Sequence, residues 1–139
     1  MSFREISQIA GSAMTAQSLR LNTVASNLAN AQTAAGSEAE AYHARKPVFA
    51  SLFHGGSDGQ VAGASVQVLD VVQSTEPVRK AYDPDNPVAD AQGMVFYPNV
   101  NSVAEMTDMI EASRAFESNV DVLSHVKSMQ QSLLKLGEG

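Results

Sequence analysis

The stretch SVAEMTDMIEASRAFESNVDVLSHVKSMQQSLLKL, residues Ser102 to Leu136, decides the fold class at the C-terminal end of the chain. Met106, Met109, Ile110, Phe116, Val120, Leu123, Val126, Leu133 and Leu134 recur at mostly three- and four-residue steps, the spacing that lays apolar side chains along a helix. Ser102-Val103-Ala104-Glu105 has the pattern of a capping box, a hydroxyl placed to accept from the Glu105 amide and a carboxylate able to reach back. Glu105, Asp108 and Glu111 fall early while Lys127 and Lys135 fall late, the order the helix dipole favours, and Gly137 and Gly139 are stop signals. The pattern predicts about 50 Å of helix.

A second stripe runs from Phe3 to Ala31 through Ile6, Ile9, Ala10, Ala13, Met14, Leu21, Val24 and Leu28. It predicts a helix of about 43 Å, weakened by Gly11 by roughly 1 kcal/mol relative to Ala and ending near Asn30, before the Ala, Gly and Ser of residues 32–37. Between the two stripes, residues 34–101 hold all of the Pro, and their apolar residues alternate instead of spacing helically. The best strand is Ala64 to Gln73, with Val66, Val68 and Val72 facing one way and Gln67, Leu69 and Val71 the other. Pro47 to Phe53 and Met94 to Tyr97 are shorter strands, His54 to Gly59 a flexible loop, and Asp83-Pro84-Asp85-Asn86-Pro87 a turn. The expected class is α+β: long terminal helices paired as an antiparallel, coiled-coil-like hairpin, with a small β-rich insert. Three parts follow, 1–33, 34–101 and 102–139.

At 139 residues there is room for one real core and not for a second full domain. A formal charge of -6 opposes nucleic acid and anionic membrane surfaces. No Cys is present, so thiolate chemistry and disulfides are excluded. Glu5, Ser7 and Gln8 interrupt the first apolar residues, unlike a cleaved secretory signal, and no segment is apolar enough to insert in a membrane. A protein of this kind working outside the cytoplasm needs another export route.

Two helices too long to bury their stripes on a small insert pack on each other and still leave apolar flanks, which points to contacts with further chains. Catalytic classes find no support. His43, His54 and His125 lie far apart without metal-ligand spacing. Asp83, Asp85 and Asp90 suggest a calcium loop, but Pro84 and Pro87 break the spacing and Met94 stands where the bidentate Glu belongs. No nucleophile elbow or phosphate-cradling glycine loop occurs. No cofactor is expected. The alternative to an assembly subunit is a soluble helical adaptor or chaperone-like binding protein, with Met106, Met109 and Met129 lining an adaptable groove.

Residues Gly11 to Thr33, with Ala25-Ser26-Asn27-Leu28-Ala29-Asn30 at their centre, resemble the N-terminal signature of the flagellar rod and hook protein family. A second match runs through Tyr82-Asp83-Pro84-Asp85-Asn86-Pro87, Ala89-Asp90-Ala91-Gln92-Gly93, Tyr97-Pro98-Asn99-Val100-Asn101 and Glu111-Ala112-Ser113-Arg114-Ala115-Phe116-Glu117-Ser118-Asn119-Val120, and is similar to the proximal-rod members of that family. The short insert agrees, since distal-rod and hook proteins carry a much larger middle domain. The resemblance implies a structural subunit, not an enzyme, polymerising through its terminal helices into the hollow shaft that transmits torque. It implies export by the flagellar type III apparatus without a cleaved signal, and a place in the rod where it spans the periplasm. The implied partners are further copies of the chain, other proximal- and distal-rod proteins, the rod-to-membrane-ring adaptor and the export apparatus. Leu21, Val24, Leu28, Met106, Ile110, Phe116, Val120 and Leu123 are expected to pack helices or subunits, with Asn27, Asn30, Arg114 and Asn119 as polar contacts at subunit boundaries.

Overall fold

A computed structural model describes residues 2–55 and 61–137. Their order is α1 (Phe3–Asn30), β1 (Arg45–Gly55), β2 (Val61–Gln73), β3 (Arg79–Tyr82), β4 (Met94–Tyr97) and α2 (Ser102–Gly137). β1 pairs with β2 and β3 with β4, each a small antiparallel hairpin, so the class is α+β. Both helices begin and end within a residue of their expected bounds. β1 is longer than expected and takes in His54 and Gly55, while residues 56–59 of the expected loop, and Gly139, lie outside the described residues.

The helix starts are capped differently from the sequence reading. Ser2 and Glu5 form a reciprocal capping box on α1: the Ser2 amide donates to Glu5 Oε2 at 2.7 Å and the Glu5 amide to Ser2 Oγ at 3.3 Å. On α2 the cap is Asn101, whose Oδ1 accepts from the amides of Val103 at 3.1 Å and Ala104 at 3.2 Å. Ser102 is therefore inside the helix. Glu105 does not turn back to it, because its carboxylate is recruited to α1.

The chain forms two compact units, and both helices and the β1–β2 ribbon contribute to each. The first comprises Met1–Leu19, Val48–Asp70 and Glu111–Gly139. Its most buried residues are small: Ala10, Ala16, Ala112 and Val126. Ser12 ties α1 to the ribbon, its Oγ accepting from the Val66 amide at 3.0 Å while donating to the Ile9 carbonyl at 2.9 Å. Phe3 shares an apolar groove with Met129 and Leu133, so within this unit the start of α1 meets the late turns of α2 and the helices run antiparallel.

The second unit comprises Arg20–Pro47 and Val71–Ile110. Here too the helix segments are antiparallel, since Asn27 meets Glu105 while Arg20, earlier in α1, pairs with the later Asp108 at 2.9 Å. β3 and β4 align Arg79 with Tyr97 and Tyr82 with Met94, and Ala35 bridges to Phe96 through both of its backbone groups. Val95 is fully buried, and Val78, Ala41, Ala44, Ala31 and Val24 are also buried in this unit. Arg79 and Lys80 lie over the rings of Tyr97 and Phe96 at 5.1 and 5.5 Å, which places cations on aromatic faces at the sheet surface. β3 has no counterpart in the sequence reading, because four residues with one half-buried side chain between them carry almost no periodic signal.

The turn before β4 closes on Gly93, at φ +76°, a conformation that L side chains rarely adopt. A Cβ there would lie 2.9 Å from Tyr82 Cε2 and 3.1 Å from Pro84 Cβ. Asp90 Oδ1 accepts from the amides of Gln92 and Met94 at 2.9 and 2.8 Å, so this carboxylate organises a turn. Among the described residues no three His, Asp or Glu side chains gather to hold a metal ion. The alternation of β2 holds through Leu69, but past Asp70 it shifts: Val71 is half-buried and Val72 exposed. That shift falls where the strand leaves the first unit for the second, so each core selects its own face.

Candidate assembly surface

Asn27 organises the second unit. It lies near the end of α1, 1 % exposed, where an amide is a poor helix former with no solvent to satisfy it. Its hydrogen-bonding capacity is filled within the chain. Nδ2 donates to the Arg45 carbonyl at 2.8 Å and to Glu105 Oε2 at 3.0 Å, and Oδ1 accepts from the Arg45 amide at 2.9 Å and the Tyr42 hydroxyl at 2.9 Å. One side chain thereby joins α1 to the root of β1, to the connection before it, and to α2. It meets both backbone groups of Arg45 as a neighbouring strand would. Tyr42 also lies 3.2 Å from Ser26 Oγ, and the Arg45 guanidinium sits 5.5 Å above the Tyr42 ring.

Glu105, 5 % exposed, borders a cleft of about 330 Å³ that also takes in Lys46, Glu76 and Asn99. Asn99 fixes the far side of that cleft. Its Oδ1 accepts from the Ala44 amide at 2.7 Å and its Nδ2 donates to the Glu76 carbonyl at 2.6 Å. Tyr42 does not stand out in the sequence, and Asn99 figures there only within the Tyr97 to Asn101 match, since the partners of both, side chains for Tyr42 and mainly backbone groups for Asn99, are brought near by folding.

The remaining residues singled out by sequence fall into distinct settings. Val24 is buried, while Leu21, Leu28, Phe116 and Leu123 are half-buried. Asn30 and Asn119 each donate Nδ2 to the carbonyl one turn back, that of Ser26 at 2.8 Å and that of Ala115 at 2.7 Å. Arg114 is exposed. Met106 and Ile110 are more than half exposed, and Val120 is 41 % exposed.

These exposures follow helical geometry. Glu105 and Ala112, seven residues apart, lie on one face of α2 and are buried. Val103, Met106 and Ile110, at steps of three and four, share a different face and are 75 %, 55 % and 56 % exposed. Farther along, Leu133, Leu134 and Leu136 are exposed as well. Few large side chains are fully buried anywhere among the described residues, and Val95 and Asn27 are the largest. Many of the large apolar side chains are instead exposed, and such surface commonly marks contacts with other molecules. No described helix is long and apolar enough to cross a membrane.

This arrangement belongs to a class of proteins built to assemble. Residues 8–34 match the family described as flagella basal body rod protein, and residues 91–136 match the C-terminal family of the flagellar basal body rod FlgEFG proteins. The flagellar basal-body rod protein FlgC of Escherichia coli O157:H7 is 46 % identical to this chain over 138 residues, covering 99 % of this chain and 100 % of the relative. FlgC of Salmonella typhimurium is 44 % identical with the same coverage, and FlgC of Borreliella burgdorferi 33 % identical over 94 % of this chain and 95 % of the relative. The chain belongs to the FlgC family of flagellar basal-body rod proteins. The adaptor reading finds no support among these relatives.

Proposed function

We propose that the chain is a structural subunit of the proximal rod, one segment of the hollow shaft that carries torque through the periplasm. The observation that carries this reading is the second apolar face of α2, where Val103, Met106 and Ile110 remain exposed opposite a face that is already buried. A subunit under torsional load needs contacts with several neighbours, and an apolar side chain withdrawn from water at such a contact contributes roughly 1.5–3 kcal/mol. In this reading 1–33 and 102–139 form the rod-core module and 34–101 a β-rich and loop insert between its helices. Leu21, Leu28, Phe116, Val120 and Leu123 pack helices or neighbouring subunits. Its neighbours are further copies of itself, other proximal- and distal-rod proteins and the rod-to-membrane-ring adaptor, and the flagellar export apparatus delivers it. It carries no catalytic role.

The test separates folding from assembly. Ile110→Asp and Val120→Asp place a carboxylate on exposed positions, so the purified variants keep the circular dichroism and melting curve of the parent. In a strain lacking the native subunit they are exported but leave rods unfinished and cells non-motile. Normal motility with both variants would refute the reading.

A further inference from the structure

The cleft beside Glu105 belongs wholly to the second unit, and its charges do not balance. Glu105, Glu76 and Lys46 line it, two acids to one base. Glu105 is 5 % exposed, and a carboxylate so far withdrawn from water is costly unless it is paired. Its Oε2 accepts from Asn27 Nδ2 at 3.0 Å, whereas Oε1 has no hydrogen-bond or ion-pair partner among the described residues. Nor is Oε1 sealed off. Among the described residues the buried side-chain polar atom left without a partner is Gln17 Oε1, so solvent still reaches Glu105 Oε1, from the cleft that this side chain lines. Lys46 forms no ion pair among the described residues, so the cation that the chain itself places in the cleft does not neutralise Glu105.

The missing partner is therefore a cation from outside the chain. The walls suit a long stem with a charged head: Ala44, Val72 and Ala104 offer apolar surface, and a volume of about 330 Å³ admits a large side chain. A guanidinium is more weakly hydrated than an ammonium, so it is the cation more readily brought to a buried carboxylate. Arg20 pairs with Asp108, and Arg45 and Arg79 lie over the rings of Tyr42 and Tyr97. Arg4 and Arg114 are exposed and without a partner among the described residues. Arg114 follows Ile110 by one four-residue step, on the face of α2 that leaves Val103, Met106 and Ile110 in water. Arg4 stands on the other helix.

We propose that Arg114 of one copy enters the Glu105 cleft of the next and pairs its guanidinium with Glu105 Oε1. The step rests on the function proposed above, in which this face of α2 meets a neighbouring subunit. One arriving guanidinium brings the lining to two acids and two bases. The contact joins different patches of two copies, so it runs head to tail and propagates instead of closing a dimer, as a shaft requires.

The experiment compares incorporation into isolated basal bodies, by immunoblot, for the native chain and three variants. Arg114→Ala removes an exposed side chain without a partner in its own chain. It is expected to melt like the parent yet incorporate at least about tenfold less, the factor for an ion pair worth 1.4 kcal/mol. Glu105→Gln keeps an oxygen to accept from Asn27 while removing the charge, and the same loss is expected. The double variant should fall no further than either single one, because both remove one interaction. Losses that multiply, or normal incorporation of either single variant, would overturn the pairing and leave the rod reading intact. The chain has no Cys, so two singly substituted chains can be expressed together and treated with a short thiol cross-linker. They are Ser118→Cys, one turn beyond Arg114, and Thr75→Cys on the cleft wall. A dimer that needs both chains is expected. A dimer from Ser118→Cys alone, or a product with a different protein, would overturn the choice of occupant. Absence of the native chain from basal bodies would sink the rod reading and the pairing with it.

Discussion

Replacing Asn27 by Ala tests how far one side chain holds the second unit together. Four hydrogen bonds disappear, but their loss is unequal. Tyr42 keeps Ser26 Oγ within 3.2 Å. Glu105 has no such refuge at 5 % exposure and loses its donor. A hydrogen bond to a charged group is worth about 1.5–3 kcal/mol, and the vacated volume adds to it, so the variant should lose about 2–4 kcal/mol. For a chain of this size that lowers the melting midpoint by roughly 10 °C. Asn27→Asp is the sharper companion. It is nearly isosteric, yet it puts a carboxylate where an N–H stood, 3.0 Å from Glu105 Oε2 and 2.8 Å from the Arg45 carbonyl. Two carboxylates so close cannot both ionise without repulsion, so folding raises the pKa of the pair. The sign follows: the folded state then binds protons more readily than the unfolded one, and the variant gains stability relative to the parent as pH falls from 7 toward about 4. Urea melts of parent and both variants at pH 7 and 5 provide the assay. A loss under about 1 kcal/mol for Asn27→Ala, or an Asn27→Asp deficit that does not shrink in acid, would refute the account of this cluster.

The caps provide a second test. Asn101→Ala should cost about 1 kcal/mol, while Ser102→Ala should change the urea midpoint little, the reverse of what a capping box at Ser102 requires. Gly93→Ala forces a Cβ into a left-handed backbone site against Tyr82 and Pro84. It should cost about 1–2 kcal/mol and be read as a lower melting midpoint, with Asn86→Ala in the same turn milder. On α1, Glu5→Ala removes half of the capping box at Ser2 and should speed exchange of the first-turn amides without shifting the global melt by more than about 1 kcal/mol.

Much of the fold was legible because its signals are local. Three- and four-residue apolar steps located α1 and α2, and partial alternation located most of β2, while the short apolar run Met94 to Tyr97 located β4. What escaped was short or depended on distance. β3 is four residues long. The capping box of Ser2 and Glu5 precedes the first apolar residues of the α1 stripe by only a position or two, while the cap of α2 lies at Asn101, one residue before the Ser102 pattern. The competition there is instructive: Ser102-Val103-Ala104-Glu105 satisfies the local pattern, but Glu105 gains more from a buried amide donor 78 positions away than from its own helix start.

The sequence by itself determined the helices, the alternating insert, the acid balance and the lack of thiol chemistry, since each depends on neighbours in the chain or on simple counts. Only the tertiary structure decided that Asn27 would bond Arg45, Tyr42 and Glu105, and that Met106, Ile110, Val120, Leu133 and Leu134 would stay in water on a stripe of which Val126 is buried and Met109, Phe116 and Leu123 are half-buried. Periodicity gives a helix an apolar stripe but does not say which part of it a folded chain can cover. That is settled by how much small-residue surface the other elements bring, and here they cover only one side.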